Sequence, residues 1–311
     1  MAVVTTMCKL LLAMAIGFYL FKRDVFNPEI NKKLSYLVVT ITSPLLTLYS
    51  ISTVEEGSAD VVIRIFLAGI ACYGVFVVLG WLFTKLFRVP MGLRAVYMCF
   101  LIFSNNTFMG FPVVQSLYGD SAVFYITIFN MPYNVLFYSL ALYLLGRDAA
   151  LEEGGAVRQK FSPGKLINPG IIAALGALLI YFAHLRLPDL FYSCCGFIGN
   201  LTPPLSMILI GSSLAAASLG DMKSEKKRLA PAMVMRLAVI PAVVWLLLHA
   251  VIADVRLINI CTIGAAMPVG SMVAMGAAPY ARQSRAANIG VALSTILSIL
   301  TIPVVALLLA T

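Results

Sequence analysis

The chain has 311 residues, 61% of them hydrophobic and only 11% charged, with a mean hydropathy of +0.97. A water-soluble domain carries about 25% charged residues, so this composition excludes one. Apolar segments of about 20 residues recur along the whole chain, which predicts an all-α polytopic membrane protein. The net charge of +9 does not point to nucleic acid, because the basic residues are spread over short gaps between apolar runs. The six cysteines lie within or at the ends of those runs without metal-ligand spacing, so they read as small buried apolar residues. No metal or other cofactor is expected.

Ten transmembrane spans are predicted, at residues 3–21, 34–53, 61–86, 93–117, 122–146, 168–187, 190–219, 229–253, 257–281 and 286–310. Lys9 precedes the first run as in a signal peptide. However, no small-residue cleavage site follows and Lys22–Arg23 closes the run, so it is read as a span. The gap 147–167 is polar and contains Gly154–Gly155 and Pro163–Gly164, which predicts a linker. It divides the chain into residues 1–146, a cytoplasmic linker 147–167, and residues 168–311.

Seventeen of the 22 Lys and Arg residues fall in the odd-numbered gaps, whereas the even-numbered gaps hold only Arg186 and Arg256. The positive-inside rule then puts the odd gaps in the cytoplasm and both termini outside. Five spans per half is an odd number, so a 5+5 repeat has to be inverted. Internal similarity supports such a repeat. Thr42–Ser43–Pro44–Leu45–Leu46 resembles Thr202–Pro203–Pro204–Leu205–Ser206, and Val62–Ile63–Arg64–Ile65 resembles Val234–Met235–Arg236–Leu237. Span 4 starts at Arg94 and span 9 at Arg256, and each carries helix-breaking residues in its middle: Ser104, Gly110 and Pro112 in one, Gly264, Pro268 and Gly270 in the other. Corresponding interrupted helices in two inverted halves point to a transporter's binding site.

The stretch Ser104–Asn105–Asn106–Thr107–Phe108–Met109–Gly110–Phe111–Pro112 is the sharpest of these signals. Pro112 supplies no N–H, Gly110 adds backbone freedom, and two adjacent carboxamides enter hydrocarbon. Irregular polar backbone at membrane depth is tolerated only where protein buries it or it lines a water-filled cavity.

In order along the chain, these residues resemble the auxin efflux carrier family in its short prokaryotic form. The Asn105-to-Pro112 stretch matches the family's Asn-x-x-x-x-Gly-x-Pro motif. Tyr118–Gly119–Asp120 with Asn134-x-x-x-Tyr138, Pro204–Leu205 through Gly211–Ser212–Ser213–Leu214–Ala215, Ala266–Met267–Pro268–Val269, and Leu293–Ser294–Thr295-x-x-Ser298-x-x-Thr301-x-Pro303 follow it. The resemblance implies the inverted-repeat fold of bile acid–sodium symporters and sodium/proton antiporters. In that fold, spans 1, 2, 6 and 7 form a scaffold, spans 3–5 and 8–10 form a core, and broken helices 4 and 9 cross. It also implies small organic anions as substrates, carboxylates or auxin-like acids, with a homodimer through the scaffold. Plant members carry proline where Ser104 stands, and this chain lacks their long central loop.

Two half-helices starting near the midplane aim positive dipole ends at one point, which favours an anion. Asn105 and Asn106 are expected to donate to a carboxylate, with Thr107 and Ser271 as secondary donors; the alternative is that the amides satisfy freed backbone carbonyls. Asn130, Asn134 and Tyr138, spaced i, i+4, i+8, share one helical face that either faces the crossing or hydrogen-bonds a neighbouring helix; Asn134 fits the family pattern for substrate contact, and for Asn130 both readings stay open. Ser43, Thr47 and Ser206, beside kinking prolines, either form the scaffold wall or serve helix packing. Arg64 is expected to snorkel towards Asp60. Arg236, roughly 12 Å beyond Arg228 along a helix, needs a partner or a water path: it either attracts anions or pairs with carbonyls.

All thirteen acidic residues fall in gaps or at span ends, Asp189 looking deepest, which disfavours a carboxylate-pair proton antiporter. No catalytic motif is present, so an enzyme is not expected. The expected function is a secondary transporter for a small organic anion, working by alternating access in a bacterial inner membrane. A non-transporting receptor or channel on the same fold is the alternative.

Overall fold

The computed structural model describes residues 2–54, 59–152, 169–185, 187–216 and 226–309. Most of the predicted linker, Arg186, Glu55 and Glu56 lie outside the described residues. Seventeen α-helices follow one another: α1 Ala2–Lys22, α2 Pro28–Leu37, α3 Ser43–Ile51, α4 Ala59–Leu86, α5 Arg94–Ile102, α6 Phe111–Tyr118, α7 Ser121–Phe129, α8 Met131–Leu136, α9 Leu142–Glu152, α10 Pro169–Phe182, α11 Asp189–Gly199, α12 Thr202–Ala216, α13 Lys226–Val234, α14 Ile240–His249, α15 Val255–Ala266, α16 Ser271–Ala277 and α17 Ala281–Leu308. Among the described residues there is no β-sheet; one antiparallel bridge joins Ser104 to Val269.

Five helical stretches are long and apolar enough to cross a membrane: Pro28–Ile51, Ala59–Leu86, Asp189–Ala216, Arg228–His249 and Ala281–Leu308. A sixth, Ser121–Phe129 with Met131–Leu151, bends by 42° at Asn130, where Pro132 removes a helical hydrogen bond. The helices of spans 4 and 9 do not qualify singly, because each is cut into two short pieces. Large apolar side chains such as Leu12, Leu67, Leu246 and Leu300 point outward, as lipid contact requires and water would penalise. Lys85 sits 5.6 Å from the centre of the Trp81 ring near the end of α4, the pairing of aromatic and cation found at a membrane interface.

Helix ends and kinks follow from proline. Of the four π-helical turns among the described residues, Val38–Thr42, Asn106–Gly110 and Met235–Val239 run directly into a helix with proline at its start, Pro44, Pro112 and Pro241, whereas Phe137–Ala141 runs into α9, which has no proline. The wider turn absorbs the hydrogen bond that proline cannot make.

Two groups of helices pack internally. In one, α1 lies against α12, and α3 against α10 and α11. There the small residues set the distance: a Cβ on Gly17 would stand 1.9 Å from the Ile208 carbonyl oxygen, and one on Gly211 1.9 Å from that of Met14. In the other group, α4 lies against α5 and α7, α14 against α15, and α16 against α17.

The helix carrying Tyr138 runs on to Glu152, so residues 147–152, read from the sequence as linker, are helical. Asp148 is the reason. Its carboxylate, 6% exposed, accepts the Ala95 N–H at 2.7 Å, capping the start of α5, where N–H groups lack helical partners. Among the described residues Asp148, and not the exposed Asp189, is therefore the buried acid. Arg64 pairs with Asp60 at 3.2 Å one turn away.

Candidate functional site

The site is built on two broken helices that meet. After α5 the chain becomes extended at Phe103, with φ −105 and ψ 104. After α15 it becomes extended at Met267, with φ −62 and ψ 149. These two short segments run antiparallel. The Asn105 N–H donates to the Pro268 carbonyl at 2.8 Å, and the Gly270 N–H donates to the Phe103 carbonyl at 2.9 Å. The Ser294 hydroxyl oxygen accepts the Val269 N–H at 3.1 Å. Backbone that leaves a helix in the membrane interior must be re-bonded, and here each break satisfies the other.

Ser104, Pro268 and Gly270 lie in the breaks. Gly270 is required by close approach: a Cβ there would be 3.0 Å from both the Ser104 carbonyl oxygen and the Tyr133 hydroxyl. Gly110, Pro112 and Gly264, read from the sequence as break residues, lie in helical turns instead. Gly110 has ordinary helical angles, φ −61 and ψ −53, so its conformational freedom is unused. Its role is space, since a Cβ would stand 2.7 Å from the Asn106 Oδ1. Pro112 is near the start of α6 behind its π-turn, and Gly264 lies within α15.

The two carboxamides at the break are used differently. Asn106 Nδ2 donates to Ser104 Oγ at 2.9 Å and to Asn130 Oδ1 at 2.7 Å. The Tyr73 hydroxyl donates to the same Asn130 oxygen. Both amide protons of Asn106 are thus spent inside the protein, and its Oδ1 is buried without a partner among the described residues. The side chain of Asn105 bonds no other residue among those described and faces a cavity.

That cavity, about 1460 Å³ in volume, lies between the two helix groups. Asn105, Asn106, Thr107, Asn134, Tyr138, Ser271, Ser43 and Thr47 all line it. Pro268 and Ser206 do not. Pro268 gives its carbonyl to the crossing, and Ser206 is wholly buried in α12 with no partner for its hydroxyl among the described residues. Sequence reading missed Tyr73 and Tyr133 on the same wall. The signal for Tyr73 was available: a phenol in the middle of the 28-residue apolar helix α4 needs a hydrogen-bond partner.

The cavity reaches the start of α2, the end of α12 and the start of α17, where Lys32 and Arg285 join its lining. Away from these ends, beyond the Thr47 end of the cavity, the two helix groups are tied together. Gln115 Nε2 donates to Asp120 Oδ1 at 2.7 Å and to Asn200 Oδ1 at 2.8 Å.

Arg236 does not line the cavity. It is 0% exposed, and its guanidinium donates to the carbonyls of Leu101 (3.0 Å), Ala265 (2.9 Å) and Met267 (3.0 and 2.9 Å). Of the two readings left open by the sequence, the geometry is that of pairing with carbonyls.

No curated protein matches the chain. A family model described as membrane transport protein matches residues 2–306. With its apolar outward face and membrane-length helices, the molecule is an integral membrane protein. The chain belongs to the membrane transport protein family, the auxin efflux carrier family that its broken-helix motif resembles.

Proposed function

We propose that this protein is a secondary transporter for a small organic anion, a mono- or dicarboxylate or an auxin-like acid, working by alternating access. One observation carries the reading: a cavity between two helix groups, with the unspent carboxamide of Asn105 beside the crossing of two broken helices. A carboxylate accepts hydrogen bonds strongly from such donors, and the turn that opens at Asn106 aims the positive end of its dipole towards the break, its first N–H being taken by the Ser104 carbonyl at 3.0 Å. Thr107 and Ser271 add hydroxyls, and Asn134 and Tyr138 add a carboxamide and a phenol. Asn106, with its protons engaged, positions the break.

The ten-span 5+5 reading finds support in where the matched motifs fall. The Thr202 hydroxyl donates to the Thr42 hydroxyl at 2.9 Å, so equivalent residues of the two halves touch. The two breaks bridge each other at Ser104 and Val269. Both pairs meet as residues related by a twofold axis would. The group of α1, α3 and α10–α12 corresponds to the scaffold, and the group of α4–α9 and α13–α17 to the core, which would move past it elevator-fashion. A homodimer through the scaffold rests on family resemblance.

The charge distribution supports a cytoplasmic cavity mouth, beside Lys32 and Arg285. The conformation is then inward-facing, in a bacterial inner membrane with both termini outside. Cysteines added at either terminus should react with an impermeant reagent from outside intact cells; protection of the C-terminus would overturn this orientation.

The function is tested with purified protein in proteoliposomes and a panel of labelled mono- and dicarboxylates. Saturable uptake of at least one acid, competed by its unlabelled form, is expected. Transport of cations or neutral solutes in place of every organic anion would sink the proposal.

A further inference from the structure

Arg236 is a charge in the membrane interior without an acidic partner. Among the described residues the ion pairs are Lys33–Glu29 and Arg64–Asp60, and Arg236 belongs to neither. An uncompensated charge at this depth is expensive, so its partners have to supply negative potential. They do. Leu101 lies in the last turn of α5, Ala265 in the last turn of α15, and Met267 is the residue that ends α15. The last carbonyls of a helix have no partner within it, and each helix C-terminus carries about half a negative charge. Two such ends converge behind the crossing, together about one negative charge, and one guanidinium bonds them both.

The planar fork of arginine explains the residue choice. Nε and Nη2 converge on the Met267 carbonyl at 3.0 and 2.9 Å, Nη2 also reaches Ala265, and Nη1 reaches across to Leu101. A lysine ammonium brings the charge but not the fork. The π-turn Met235–Val239 that holds Arg236 runs into Pro241, so the bulge that accommodates proline also fixes the arginine against the crossing.

We propose that Arg236 is a tethered counter-cation for the crossing: a positioning residue that holds the C-terminal ends of α5 and α15 together, so that no inorganic cation is needed there. The part concerning uptake rests on the transporter reading; the part concerning the crossing does not.

The test uses the full-length purified protein in two arms. In the first, thermal unfolding is followed without substrate. Arg236→Ala and Arg236→Met are expected to lower the midpoint by at least about 5 °C. Millimolar guanidinium should recover part of the loss in Arg236→Ala, whose vacated space admits it, and not in Arg236→Met; choline should recover neither. Arg236→Lys should fall between wild type and Arg236→Ala. In the second arm, wild-type uptake is measured with sodium and potassium replaced by choline on both sides, and an unchanged rate is expected. A variant as stable as wild type, or a loss that guanidinium leaves untouched in soluble, folded Arg236→Ala, overturns the counter-cation role. A wild-type rate that falls tenfold without sodium or potassium overturns the independence from inorganic cations. Should Arg236→Ala fail to fold, Arg236→Lys and the wild-type ion replacement still decide: lysine equal to wild type would remove the fork argument. Absence of wild-type uptake would count against the transporter reading alone, leaving the melting arm intact.

Discussion

Asn105→Ala should reduce uptake efficiency by about 10- to 100-fold while leaving the fold in place, and Asn106→Ala should do the reverse in emphasis, costing stability first. The two residues are adjacent and chemically identical, so the contrast rests on what their side chains touch. Asn105 has a carboxamide facing the cavity with no bond to another described residue. Its loss removes one charge-assisted hydrogen bond to a carboxylate, about 1.5–3 kcal/mol, and no partner inside the protein is stranded. Asn106 is 2% exposed and joins Ser104 to Asn130. Truncating it takes the donor from Ser104 Oγ and one of two donors from Asn130 Oδ1, which keeps the Tyr73 hydroxyl; an unsatisfied buried group costs about 1–3 kcal/mol. Thermal unfolding of each variant, beside uptake of the best acid from the carboxylate panel, separates them. Equal melting points with equal loss of uptake would mean that both carboxamides meet the substrate, and the network assignment of Asn106 would fall.

The sequence showed that something breaks at Ser104–Pro112 and again near Pro268, because glycine, proline and paired carboxamides in an apolar run conflict with an unbroken helix. It did not show where along each stretch the break lies. Local chemistry nominated Gly110, Pro112 and Gly264, yet those positions are helical, and the extended residues are the ones that hydrogen-bond across to the other half. Only the partner segment decides which few residues leave the helix. The same limit applies to Arg236 and Asp148. A buried charge announces itself by position, but carbonyls from α5 and α15, or an N–H at the head of α5, are far away in the chain and carry no signal in side-chain type. The stripe of Asn134 and Tyr138 was legible because helical spacing alone puts both on one face. For Ser206 the sequence left scaffold wall and helix packing open because its neighbours resembled those of Ser43; the α12 helix turns it into the packed interior, which fits the second reading.

Gln115→Leu should move the protein out of the proposed inward-facing form, seen as slower labelling of Ser271→Cys by an impermeant thiol reagent applied from the cytoplasmic side, in a background lacking the native cysteines. Gln115 lies in α6, within the group that contains the crossing, whereas Asn200 lies between α11 and α12 of the other group. Its single amide nitrogen bonds both Asp120 and Asn200, so with Tyr49, whose hydroxyl pairs with Asp120, it joins the two groups away from the cavity mouth. If the core moves against the scaffold, this link has to open whenever the outside gains access, and it therefore stabilises the inward-facing state selectively. Of its two bonds only the one to Asn200 spans the two groups, and it is exposed to solvent, so it contributes about 0.5–1.5 kcal/mol, which shifts a two-state equilibrium by a factor of about 2–13. A population that is mostly inward-facing with the link intact should then become mixed, and labelling of the cavity cysteine should slow by up to about twofold. Asn200→Ala, which removes the bond between the groups and leaves the Gln115–Asp120 pair within the core, should give a similar change in the same direction. An unchanged or faster labelling rate in both variants would mean that the contact does not open during transport, and the two groups would then have to be treated as one rigid body at that end.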